Sequence, residues 1–79
     1  MNYAISRKTD EHFKAAEKYE ITNLTDNIVT IDANGKLIQC GLDDPDFLFL
    51  FGVQENDIAE WKINMKARDF SVVFFVPRE

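Results

Sequence analysis

Hydrophobic and polar residues alternate in different ways along this chain, and each pattern predicts a different element. The clearest is NIVTIDANGKLIQCG, residues 27–41, where two alternating runs flank Asn34-Gly35. Asn-Gly favours a two-residue type I′ hairpin turn because both central residues must take positive φ. Counting outward pairs Ala33 with Lys36, Asp32 with Leu37, Ile31 with Ile38, Thr30 with Gln39 and Val29 with Cys40. Val29, Ile31, Ile38 and Cys40 then share one face, while Thr30 and Gln39 share the other. Both strands agree on which face is buried, which supports the register.

Residues 59–76, AEWKINMKARDFSVVFFV, alternate strictly at first and then become apolar on both sides. Ala59, Trp61, Ile63, Met65 and Ala67 fall on one face, and the spacing predicts a strand. A tight turn at Arg68-Asp69 would make a second hairpin, with Met65 facing Val72, Ile63 facing Phe74 and Trp61 facing Val76. Between the hairpins, DPDFLFLFGV supports two readings. Asp44 as cap, Pro45 at the first helical position and Gly52 as stop would give a short helix. The strand-length, phenylalanine-rich run Phe47–Val53 favours a strand, and that reading is preferred.

Near the start, Thr9 can cap a helix whose first turn holds Asp10 and Glu11, where negative charge suits the dipole. Phe13, Ala16 and Tyr19 give it a narrow apolar stripe, so a helix is expected over about residues 10–20. Tyr3, Ala4 and Ile5 are too few to assign. Asn23 and Asp26 suggest a loop. The expected fold is therefore α+β: one N-terminal helix packed on a mainly antiparallel sheet of about five strands, in a single domain spanning residues 1–79. One helix covers one face of a sheet. The second face, which Phe47–Phe51 and Val72–Val76 would offer, needs either a second helix over 45–51 or another chain.

Composition sharpens this picture. The chain has 79 residues, one cysteine and one histidine, so an internal disulfide is excluded and the usual zinc ligand set is lacking. Stability must come from a good core or from self-association. The longest apolar run, FLFLFGV, is far too short to span a membrane as a helix, and the first ten residues carry no signal-peptide pattern. A cytoplasmic protein with no membrane association is expected.

The net charge of −5 is uneven. Residues 37–61 hold Asp43, Asp44, Asp46, Glu55, Asp57 and Glu60 with no Lys or Arg. Such a segment repels phosphate backbones, so direct nucleic-acid binding is not expected, and it attracts a basic partner.

Catalytic chemistry finds few candidates. His12 stands without an evident nucleophile or carboxylate partner, and Cys40 falls on the inward face of its strand. DANGK imitates part of a calcium loop. Setting Gly35 at the obligatory glycine, however, places Thr30 at the first ligand position and Gly41 at the bidentate one, and both fail. No glycine-rich phosphate loop is present. No cofactor and no enzymatic activity are expected.

What remains is the apolar FLFLF run between two acidic segments. An apolar centre with a charged rim suits protein binding. The candidate partner-binding residues are Asp43, Asp44, Asp46, Phe47, Phe49, Phe51, Glu55, Asp57, Glu60 and Phe75. The expectation is a small acidic protein-binding module that inhibits or regulates a partner with a basic, possibly nucleic-acid-binding, surface. A phage anti-defence or immunity protein is of this kind. Two alternatives stand beside it: a structural homodimer or oligomer subunit, and a small metal-binding domain using Asp43, Asp44 and Asp46.

Overall fold

A computed structural model describes residues 1–54 and, for the backbone, residues 72–74. Six strands appear: β1 (Tyr3–Ser6), β2 (Lys18–Thr25), β3 (Ile28–Ala33), β4 (Lys36–Gly41), β5 (Phe47–Phe51) and β6 (Val72–Phe74). They form one sheet in the order β4-β3-β2-β1-β5-β6. Neighbours from β4 through β5 run antiparallel, and β6 runs parallel to β5. The described fold is mainly β, which corrects the expected α+β class.

The predicted hairpin is present with the predicted register, from Ala33↔Lys36 to Val29↔Cys40. Asn34 and Gly35 both take positive φ, 56° and 99°, and the Asp32 carboxylate accepts the Gly35 N–H at 2.7 Å. A second two-residue turn joins β2 to β3 through Asp26 and Asn27, with φ of 53° and 64°. Asn23 lies within β2, next to a bulge at Thr22 that shifts the pairing with β3. That extra residue keeps both Ile21 and Leu24 on the same face of the sheet, opposite Ile31 and Val29.

The expected helix at 10–20 is absent. Its capping chemistry is real but closes a turn: the Asp10 carboxylate accepts the N–H groups of His12 and Phe13 at 2.8 and 2.9 Å. The Thr9 hydroxyl accepts the N–H of Ala15 at 3.1 Å. Ala16 then takes a left-handed φ of 68° and its N–H bonds to the Ser6 carbonyl, a conformation no right-handed helix admits. Tyr19 belongs to β2. The stripe Phe13–Ala16–Tyr19 therefore was never one helical face. Pairing of β1 with β2 won over helix propensity.

Phe47–Phe51 is a strand, as preferred, and all five of its side chains are buried. It lies between β1 and β6, inside the sheet. Tyr3–Ser6, too short to assign from sequence, is likewise interior and fully buried. The 72–74 segment is a strand as expected. Its proposed hairpin partner at 59–67 lies outside the described residues.

Side chains divide into two clusters by strand alternation. One face gathers Ala4, Tyr19, Ile21, Val29, Ile31, Ala33, Phe47, Phe49 and Phe51, with Phe13 inserted from the β1–β2 loop. The other gathers Tyr3, Ile5, Leu48 and Leu50 with Val53. On the first face Phe13 meets Tyr19 and Phe47 edge-on, at ring distances of 5.0 and 4.9 Å, the geometry that aromatic quadrupoles prefer.

In a flat sheet, β4 and β5 would be four strand spacings apart, about 19 Å. Only residues 42–46 join them, and those residues fold into turns, with Asp44 N–H donating to Gly41 and Phe47 N–H to Asp44. The sheet must therefore curl around its first face. That curl brings Ile38, Cys40 and Leu42 against the same core as Phe47 and Phe49.

Candidate functional site

Two loops meet at the end of the sheet where β1 finishes and β5 begins: the β1–β2 loop over residues 7–17 and the β4–β5 loop over 42–46. Backbone ties them together. Arg7 N–H donates to the Asp46 carbonyl at 2.8 Å, and the Arg7 guanidinium donates to the Pro45 carbonyl at 3.2 Å. Lys8 sits at the junction. Its ammonium lies 3.4 Å from the Asp10 carboxylate and 3.6 Å from that of Asp46. It also lies 5.8 and 5.5 Å from the Phe13 and Phe47 ring centres. Partial burial pulls the Lys8 ammonium down, but Asp10 and Asp46 outweigh that and hold it above its usual value.

Of the predicted acidic residues, Asp43, Asp44 and Asp46 fall here, though not as a cation-binding cluster. Asp43 and Asp46 are exposed and Asp44 is half-buried. The Asp44 carboxylate accepts the Asp46 N–H at 2.9 Å, so it shapes the turn, while Asp46 faces Lys8. Among the described residues no three His, Cys, Asp or Glu side chains converge as metal ligands would. The structure also adds residues the sequence reading did not select: Asp10 and the exposed Glu11 on the neighbouring loop, and Lys8 between the loops. Only the long-range pairing of β1 with β5 brings Lys8, and through it Asp10, to Asp46, so no local signal pointed to them.

Phe47, Phe49 and Phe51 are core residues at 2%, 0% and 8% exposure. They form no apolar contact surface. Glu55, Asp57, Glu60 and Phe75 lie outside the described residues.

The single histidine and cysteine are both placed. His12 Nε2 is 3.5 Å from the Glu11 carboxylate in the exposed part of the β1–β2 loop. Cys40 packs against the core from β4, and burial, reinforced by the Asp44 charge, pushes its thiol up to about 11. A thiol so protonated is a poor nucleophile at neutral pH.

Among the described residues the exposed large hydrophobics are Met1, Leu24, Ile28 and Leu37, with Leu37 the most exposed of the last three at 63%. Leu37 lies on β4, the edge of the sheet. Among the described residues no helix is long and apolar enough to cross a membrane.

No family model matches the chain, and no curated protein or solved structure shows significant similarity to it.

Proposed function

We propose that this chain is a small protein-binding module that presents the acidic end of its sheet to a partner with a basic surface. The observation that carries this reading is the two-loop arrangement. Glu11, Asp43 and Asp46 are exposed, on loops tied to each other by one backbone hydrogen bond, by the Arg7 guanidinium on the Pro45 carbonyl and by Lys8. Like charges gathered on adjoining loops steer a basic partner as a set. Phe47, Phe49 and Phe51 drop out of the contact surface, so affinity in this reading rests more on charge than on an aromatic centre.

The role that suits such a module is inhibition or regulation of the partner, in the manner of a phage anti-defence or immunity protein. A reducing compartment such as the cytoplasm fits the lone, core-packed Cys40. A cation site at Asp43, Asp44 and Asp46 finds no support, since Asp44 is engaged in its turn and Asp46 faces Lys8.

The test compares the wild-type chain with a variant carrying Glu11→Lys and Asp46→Asn. A protein captured from cell extract is purified, and its binding to both chains is measured across salt concentrations. Binding should weaken steadily as salt rises and be lost in the variant. A partner that binds both chains equally, or binds without regard to salt, would overturn the reading.

A further inference from the structure

Among the described residues, β4 is an edge strand of the sheet, and its far end leads into the acidic loop at Asp43. In a two-residue hairpin the residues flanking the turn, here Ala33 and Lys36, form a hydrogen-bonded pair, and such pairs recur at every second position. Lys36, Ile38 and Cys40 therefore direct their backbone groups toward β3. Leu37, Gln39 and Gly41 direct theirs away from the sheet. The Gly41 carbonyl accepts the Asp44 N–H. Among the described residues, nothing pairs with the outward N–H and C=O groups of Leu37 and Gln39.

Edges of this kind are usually blunted by a charge, a proline or a bulge in mid-strand. β4 has none of these between Leu37 and Gly41. Leu37 is 63% exposed and Gln39 is exposed. On the first face Ile38, Cys40 and Leu42 are only partly buried at the rim of the core. A strand laid along β4 would complete their burial.

Charge identifies the occupant. β4 begins with a cation, Lys36, and its other end leads into Asp43 and Asp44. The Asp44 N–H reaches the Gly41 carbonyl at 3.1 Å, and Asp43 Oδ1 lies 2.8 Å from where a Cβ on Gly41 would stand, so both acids sit at that end of the strand. An antiparallel pairing of two identical β4 strands about a two-fold axis at Ile38 sets Lys36 of each copy opposite Cys40 of the other, beside those carboxylates. In the same register Leu37 of each copy meets Gln39 of the other in two hydrogen-bonded pairs. A parallel pairing would bring the two lysines together instead. We propose that the partner of the β4 edge is a second copy of this chain, joined by isologous antiparallel β4–β4 pairing into one continuous sheet.

Light scattering on a sizing column, from micromolar to millimolar chain, is the test. The wild type should run as a dimer. Gln39→Pro removes an outward N–H that β3 does not use, so the monomer should keep its circular dichroism while the dimer dissociation constant rises by at least about tenfold. Lys36→Glu should weaken the dimer, and adding Asp43→Lys to it should restore pairing. With Cys40→Ala in the background, Ile38→Cys should form an interchain disulfide on oxidation, because directly opposed residues of a non-hydrogen-bonded pair lie within bridging distance. A wild type that stays monomeric throughout would overturn the proposal and leave the edge to a strand of another protein. A dimer indifferent to Gln39→Pro and to Lys36→Glu would overturn it as well, by placing the interface elsewhere. Neither result bears on Glu11 and Asp46, so the acidic-loop reading stands or falls separately.

Discussion

Phe49 offers the sharpest test of how the apolar residues are used. Its side chain is 0% exposed, on a strand flanked by β1 and β6, with the Phe47 ring stacked on it at 5.8 Å. Phe49→Ala would leave a ring-sized void in a face already lined by Ala4, Ile31 and Phe51. Truncations of this kind cost about 3–5 kcal/mol, and the loss of an aromatic contact belongs to that figure. A chain of 79 residues has a total stability of about 4–12 kcal/mol by the usual per-residue range. The substitution therefore removes about a quarter of the stability at the least, and unfolds the chain if the total lies at the low end. In urea, with a slope of about 1 kcal/mol/M for so small a domain, the midpoint should fall by about 3 M or the folded baseline should vanish. Leu37→Ala is the control: at 63% exposure it should move stability by no more than about 0.5 kcal/mol. A Phe49→Ala chain whose midpoint drops by less than about 1 M would refute the core assignment, because no well-packed phenylalanine is lost so cheaply.

Three further outcomes follow from single residues. Ala16→Gly should stabilise the chain by up to about 1 kcal/mol in a urea melt, since the left-handed φ of 68° strains alanine more than glycine's extra unfolded-state entropy costs; a loss of stability would mean the strain is not there. The Asp10 carboxyl is held below its usual range by the N–H groups of His12 and Phe13 and then by Lys8. Its contribution is therefore present above the unfolded value near 3.8 and fades as pH falls through the lower folded value; Asp10→Ala should lower the urea midpoint at pH 7 and lose less than wild type on going to pH 3, and parallel acid profiles would contradict this. Cys40, with its thiol raised to about 11, should react slowly with a disulfide reagent at pH 8 and quickly once unfolded in urea; fast stoichiometric labelling of the native chain would show an accessible thiolate instead.

Local chemistry made some of this structure legible and hid the rest for a physical reason. The β3–β4 hairpin was readable to the residue because turn type, alternation and register are all set within fifteen positions. The β5 run was readable as a strand from composition. Residues 7–17 were not, although each local signal there is genuine: Thr9 and Asp10 do cap free N–H groups, and Phe13 and Tyr19 do point at a core. Helix and turn share that opening chemistry. What separates them is whether the next residues continue the helix or join a sheet, and the pairing of Ala4 with Tyr19 decides it. The candidate site was half legible. Asp43 and Asp46 were selected because they stand close in sequence; Lys8 and Asp10 were missed because they reach Asp46 only through the pairing of Ser6 with Phe47.

The FLFLF run carries the same lesson into function. Its apolar excess invited a reading as contact surface, on the reasoning that a small protein has no means of covering both faces of a strand. β5 answers that reasoning by position. It sits between β1 and β6, and its alternate side chains enter two separate clusters, Phe47, Phe49 and Phe51 on one face and Leu48 and Leu50 on the other. A strand apolar on both sides therefore marks the interior of the sheet, where both faces are covered. Exposure goes instead to the strand that looks most ordinary in sequence. β4 alternates as any amphipathic strand does, yet among the described residues the topology leaves it at the edge, with Leu37 in solvent and no partner on the outward backbone groups of Leu37 and Gln39. For a domain of this size the search for a binding surface is better guided by strand order than by hydrophobicity, since burial claims the most apolar segment first.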